Sequence, residues 1–253
     1  MRAIVLAGGQ PQPGDPMFGV SAGQPKALLD LDGRTLLEVV LAALSAATCV
    51  DSITVVGLDW LPFPASGDKP IQLLPDQGDL VANAQCGLAA APAGQAGHVL
   101  FSAADLPALT TAAVERFASL CGPLEAAVYY PVVRKGEIEA RYPGSGRTYA
   151  RLDGQLATGG NLVIASAAGV DADARLWKRL VRWRKQPWRL AGLLGPTAVI
   201  RLATGRLTTL EVERKASRLL GRPLKLVACD CPELAMDIDW PEQLELLRAL
   251  RAE

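Results

Sequence analysis

Ala3-Ile4-Val5-Leu6-Ala7-Gly8-Gly9, followed a loop later by Pro25-Lys26-Ala27-Leu28-Leu29, decides how the rest of the chain is read. A short apolar strand runs straight into two glycines. Glycine lets backbone N–H groups approach an anion closely and reach conformations other residues avoid. A lysine then supplies a compact positive charge. Strand, glycine turn, loop and lysine are the parts needed to hold a string of phosphates on the amides of Leu6, Ala7, Gly8 and Gly9.

Outward from this stretch the chain alternates strand and helix patterns. Arg2–Ala7 suits a central parallel strand, and Thr35–Ala47 carries Leu36, Val39, Val40, Ala43 and Leu44 on one helical face. Ser52–Leu58, rich in β-branched residues, and Ile71–Leu74 are predicted strands. Asp79–Ala91 is predicted helical, His98–Ala104 a buried strand, and Thr110–Leu120 a helix capped by Thr110 or Thr111. Ala126–Val133 and Asn161–Ala165 are further strands, with a polar loop over Arg141–Arg151 between them. This rhythm implies an α/β fold with a mostly parallel sheet covered on both faces. Ligands of such sheets sit outside the carboxyl ends of the strands. Gly8-Gly9 and Asp105 both lie at such ends and are expected to meet.

Residues 172–222 differ: helix follows helix, broken by Pro187 and Pro196. They are read as a helical insertion in one domain spanning 1–253, before a late strand at Lys225–Ala228 and a closing helix at Pro241–Leu250. Trp177, Trp183 and Trp188 sit at helical spacing and are read as core, and His98 as structural. Formal charge is zero but unevenly spread, with 10 basic and 17 acidic side chains in residues 1–174 and 16 basic and 9 acidic after them. The basic later part either faces something anionic or is a solvated helical face. A chain of 253 residues, 50% hydrophobic and 21% charged, is enough for one large domain. It has no apolar run near the roughly 20 residues that span a bilayer. The five cysteines lack zinc spacing, and the start lacks a secretion signal, so free thiols in a reducing cytoplasm are expected.

Two further elements carry chemistry. Leu100-Phe-Ser-Ala-Ala-Asp105-Leu-Pro ends a buried strand in a carboxylate. Asp105 alone is equally a turn cap; beside a glycine loop it is placed to hold Mg²⁺, a hard ion usually bound by one or two carboxylates plus phosphates. Met236-Asp237-Ile238-Asp239-Trp240-Pro241-Glu242 carries two alternating acids before a helix. They are expected to point to opposite sides, so that only one faces a metal; Asp239 is alternatively an N-cap.

The order of these motifs resembles the molybdenum-cofactor (MobA-like) NTP transferases. The resemblance covers nearly the whole chain and implies a Rossmann-like, three-layer fold of the nucleotide-diphospho-sugar transferase or glycosyltransferase-A type. It implies metal roles for Asp105 and Asp239 with Asp237 third, and base or ribose contacts at Gln77, Gly78 and Asn83. It also implies acceptor contacts at Gly160 and Asn161, in the turn Thr158-Gly-Gly-Asn161, and at Arg147 of the polar loop. The reaction so implied is Mg²⁺-dependent transfer of a nucleoside monophosphate from a triphosphate to a phosphorylated small molecule (a sugar phosphate or a cofactor such as molybdopterin), with Lys26 bridging phosphates. No nucleic-acid partner is implied. Family members place an arginine soon after the first glycines; here the longer loop Gln10–Gln24 contains neither arginine nor lysine. Arg34 or an arginine of the 141–151 loop is the candidate substitute. Two alternatives stay open: glycosyl transfer from a nucleotide-sugar, and a silent nucleotide-binding protein.

Overall fold

β1 (Arg2–Leu6) leads through a short helix, α1 (Phe18–Ser21), and a 3-10 turn at Lys26–Leu28 into a hairpin, β2 (Asp30–Leu31) and β3 (Arg34–Thr35). The computed structural model describes residues 1–64, 67–91, 97–170 and 174–252. α2 (Leu36–Ala46), β4 (Ser52–Val56), β5 (Ile71–Leu74), α3 (Leu80–Ala89), β6 (His98–Ala103) and α4 (Thr111–Leu120) follow in the expected alternation. Then come β7 (Val128–Arg134), α5 (Lys135–Arg141), β8 (Ala150–Leu152), β9 (Gln155–Gly159) and β10 (Leu162–Ser166). A helical stretch comprises α6 (Ala167–Val170), α7 (Ala174–Trp183), α8 (Pro187–Leu193), α9 (Pro196–Ala203) and α10 (Thr209–Leu220). β11 (Leu224–Ala228), a 3-10 turn at Pro232–Ala235 and α11 (Pro241–Ala252) close the chain.

One nine-stranded mixed sheet runs in the order β5-β4-β1-β6-β10-β7-β9-β8, with β11 beside β7. β5, β4, β1 and β6 are parallel, β11 is parallel to β7, and β10 is antiparallel between β6 and β7. Along β1, side chains alternate between faces. Val5 joins Leu37, Leu41, Leu100 and Phe117 beneath α2 and α4. Ile4 joins Val56, Ala84, Phe101 and Ala165 beneath α3 and α6. The result is a three-layer α/β fold. The helix starts are fixed by side-chain caps: Thr35 accepts from Glu38 N, Asp79 from Val81 N and Ala82 N, and Thr110 from Ala113 N.

A third cluster sits under the strand ends. It gathers Met17, Leu29 and Leu31 with Ile138, Met236, Ile238 and Leu244. The turn carrying Lys26 and the segment carrying Asp237 and Asp239 are thus pinned to the same apolar support.

The structure departs from the expectations in particular places. The 141–151 stretch is not simply a loop; it joins the end of α5 to β8, which pairs with β9. Asp153 (φ 49°) and Gly154 (φ 77°) supply the left-handed two-residue turn of that hairpin, as Asp32 (φ 58°) and Gly33 (φ 82°) do for β2–β3. Pro187 and Pro196 start α8 and α9 rather than breaking a helix, since the missing N–H is unneeded there. Trp188 is 60% exposed and so is not core, and Trp183 lies between Arg179 and Arg189. Trp177 does pack inward, its indole N–H donating to Gly169 O. His98 is structural, its Nε2 bonded to Ala126 O at 2.7 Å. Residues 172 and 173, the predicted start of the helical insertion, lie outside the described residues. Among those described, every cysteine is a free thiol, and no helix is long and apolar enough to cross a membrane.

Candidate active site

β1, β4 and β6 end in register, Leu6 opposite both Val56 and Ala103. Just beyond them the backbones crowd together. Ala7 N donates to Val56 O at 2.8 Å, and a Cβ on Gly57 would collide with the backbone of Ala7 and Gly8. A Cβ on Gly8 would in turn collide with Asn83 Nδ2 and Asp76 Oδ1. A side chain at position 8 would displace the Asn83–Asp76 hydrogen bond. Gly9, with φ 109°, is required by its backbone conformation and has open space around it.

Asn83 is buried and both ends of its amide are engaged. Its Oδ1 accepts from Gln77 N, and its Nδ2 donates to Asp76 Oδ1, each at 2.7 Å. It therefore holds the turn that carries Gln77 and Gly78, both exposed. The turn lies beside Gly8 but outside the cavity described below.

Lys26 reaches across to the other strand ends. Its Nζ lies 2.7 Å from Asp105 Oδ2 and 3.6 Å from Asp239 Oδ1, with about 20% of each side chain exposed. Ile238 N donates to Asp105 O at 3.2 Å, which ties the late acidic segment to the end of β6. Burial by itself would lower the Lys26 ammonium pKa; the charge and hydrogen bond of Asp105, with Asp239 and Asp237, more than offset it and hold the group above its ordinary value.

The expectation that Asp237 and Asp239 face opposite ways is corrected. Residues two apart on an extended segment share a face. Met236 and Ile238 take the buried side and both carboxylates take the other. Both touch Lys185, and both pair with Arg147, closely for Asp237 and at 3.9 Å for Asp239. Asp237 is almost fully buried. Burial would raise its pKa, but Arg147, Lys185 and Lys26 together drive it below the usual carboxylate value.

Asp105 and Asp239 therefore converge on one cation position with hard oxygen donors, a set that suits Mg²⁺. Asp237 is committed to Arg147 instead. Arg34 pairs with Glu38 at the surface, and Arg147 is buried behind Asp237, so neither substitutes for the absent loop arginine. The sequence reading missed Lys185. It comes from the turn after α7, and its signal was the stretch Arg175–Arg189, which has seven basic residues and no acid. Arg184, its neighbour, lines the cavity.

That cavity, of about 560 Å³, opens at Leu6–Gly9, Lys26 and Asp105 and is bordered by Gly160 and Asn161. Asn161 N donates to Leu234 O at 2.7 Å and Gly160 N to Pro131 O at 3.1 Å. Gln77, Gly78, Asn83, Arg147, Asp237 and Asp239 do not line it.

Residues 3–226 match the sequence profile of the MobA-like NTP transferase domain. A structure described as a hypothetical transferase from Thermus thermophilus is 40% identical, covers 96% of this chain and 100% of its own, and superposes with a TM-score of 0.78. A 2-C-methyl-D-erythritol 4-phosphate cytidylyltransferase, also from Thermus thermophilus, shares the fold at 19% identity and TM-score 0.54, with both chains fully covered. A CMP:2-keto-3-deoxy-manno-octonic acid synthetase complexed with CTP shares it at 14% identity and TM-score 0.55, over 100% of this chain and 99% of that one. No curated protein matches the chain.

Proposed function

The chain belongs to the MobA-like NTP transferase domain family, a family of nucleotidyl transfer, and from that premise we propose a Mg²⁺-dependent reaction with a phosphorylated acceptor. An acceptor phosphate oxygen attacks the α-phosphorus of a nucleoside triphosphate. A new P–O bond forms, the bond to the β-phosphate oxygen breaks, and pyrophosphate leaves with the electron pair. The acceptor oxygen is already ionised at neutral pH, so no general base is needed. The requirements are alignment and relief of negative charge. The supporting observation is the meeting of Lys26, Asp105 and Asp239 beside the Gly8-Gly9 turn at a cavity mouth.

The amides of Gly8 and Gly9 cradle the triphosphate, and Lys26 bridges donor and acceptor phosphates. Lys185 supplies the charge that the Gln10–Gln24 loop lacks. Asp105 and Asp239 would hold Mg²⁺, which supplies Lewis-acid charge at the transferred phosphate. Gly160 and Asn161 border the acceptor side, while Asn83 and Arg147 act by positioning the 76–78 turn and Asp237.

The test is pyrophosphate release from a panel of nucleoside triphosphates with sugar and alkyl phosphates as acceptors. Asp105→Asn is expected to lower turnover by at least about a hundredfold, with the thermal melt retained. Equal turnover by Asp105→Asn and the parent removes the assignment.

A further inference from the structure

The cavity does not end at the phosphate cradle. It runs on between the sheet and the helical stretch, where its walls are Phe101, Val163 and Leu226 on one side and Leu180, Val212 and Ala216 on the other. Of the lining residues from β7, β10, β11 and α7–α10, together with the turn after α7, only Tyr130, Trp177 and Arg184 carry a side-chain polar group. The Trp177 N–H is already used on Gly169 O. The Arg184 guanidinium donates to Val181 O at 3.4 Å, at the end of α7. Val163, Val212, Ala216, Leu224 and Leu226 lie between layers yet are only half-buried. Apolar side chains facing a gap lose the dispersion contacts of a filled core. A sugar phosphate would leave most of this wall without partners and find along it only the Tyr130 hydroxyl and the Arg184 guanidinium as hydroxyl-binding groups. A hydrocarbon chain would fill it.

We infer that the acceptor is the phosphate monoester of a single long apolar alcohol, alkyl or prenyl. Its phosphate lies at Lys26 and its chain runs beneath α7 and α10. This rests on the nucleotidyl-transfer reading. The product joins the nucleoside monophosphate to the chain's phosphate through a pyrophosphate bridge, and pyrophosphate is released. About 560 Å³ falls in the range of small-molecule sites and leaves room for a chain beyond the phosphates.

The experiment measures pyrophosphate release with ethyl, butyl, octyl and dodecyl phosphate and with a sugar phosphate. It is paired with displacement of an apolar fluorophore from the protein by the same alkyl series. kcat/KM and displacement are both expected to strengthen by about fourfold per added methylene until the cavity fills. Ala216→Trp, and Val163→Trp on the facing wall, are expected to abolish that chain-length dependence while keeping ethyl phosphate turnover. Two variants on opposite walls, each checked by circular dichroism melt, guard against a folding failure.

Equal use of ethyl and dodecyl phosphate, or unchanged dependence in a folded variant, overturns the inference while nucleotidyl transfer stands. Chain-dependent displacement without pyrophosphate release from any triphosphate supports the chain pocket and removes the transfer reaction instead. Dodecyl phosphate as a monomer and phosphatidate in phosphatidylcholine vesicles form separate arms. Preferential turnover of the monomer supports a single-chain acceptor, and preference for phosphatidate refutes it.

Discussion

Lys26 stands where a metal bound by Asp105 and Asp239 would carry its charge, and replacing it tests the site without nucleotide. At an effective dielectric of about 20, unit charges at the observed 2.7 and 3.6 Å attract by about 6 and about 5 kcal/mol. A fifth of each side chain is exposed, so solvent screens much of this. A charge-assisted hydrogen bond keeps a net value of about 1.5–3 kcal/mol. A divalent cation binding the two carboxylates must first displace Lys26 and forfeits that amount. Lys26→Met removes the competitor, so Mn²⁺ should bind the variant about 10- to 100-fold more tightly than the parent in isothermal titration without nucleotide. The same variant should melt lower than the parent in chelator, because Asp105 then loses its ion pair while Asp239 keeps only Lys185 and Arg147, and should regain the loss in Mn²⁺. Its turnover should nevertheless fall by orders of magnitude, since Lys26 is also proposed to bridge the donor and acceptor phosphates. Mn²⁺ affinity equal to or weaker than that of the parent would show that the carboxylates do not form the metal site.

Three other perturbations probe different links. Gly57→Ala should cost about 2–4 kcal/mol in urea denaturation, because residue 57 has φ 119° and its added methyl meets the backbone of Gly8. Lys185→Ala should raise KM for the triphosphate about three- to tenfold and weaken the salt dependence of kcat/KM, since the lost ion pair is partly exposed. Asp237 has a depressed pKa in the folded chain, so its contribution is present above its unfolded value near 3.9 and is lost as pH falls below it. Asp237→Asn should therefore cost about 3–5 kcal/mol at pH 7, by stranding Arg147, and should flatten the loss of stability as pH falls below about 4 in urea melts.

The parallel half of the sheet was legible because its strands are apolar runs separated by capped helices. Thr35, Asp79 and Thr110 each cap where the pattern places a helix start. β8 and β9 were not legible, because short, half-exposed strands carry little hydrophobic period, and only Asp153-Gly154 marks their turn. The pairing of Asp237 with Arg147 was hidden for a different reason. Nothing local to either residue encodes a contact between the 141–151 stretch and the segment before α11. The apolar residues around them do the placing, with Ile138 and Tyr142 on one side and Met236 and Ile238 on the other, all in one cluster.

The helical stretch brings to the proposed phosphate site the positive charge that the Gln10–Gln24 loop lacks. Antiparallel β10 turns the chain back beside β6, so the helices that follow it cover the same face as α3, with α7 against α3 and α10 against β11. That path brings the turn after α7 over the ends of β1 and β6, where Lys185 meets Asp239. The same path leaves the inner sides of α7 and α10 facing the sheet across the cavity. One stretch thus contributes a positive charge at the mouth and an apolar wall behind it. The two functions are separable: a change at Lys185 should alter salt dependence but not chain-length preference, and a change at Ala216 should do the reverse. Kinetics of both variants with ethyl and dodecyl phosphate at two ionic strengths measure each effect. Loss of both properties together in either variant would mean that the stretch acts as a single structural support, without the division of labour argued for it.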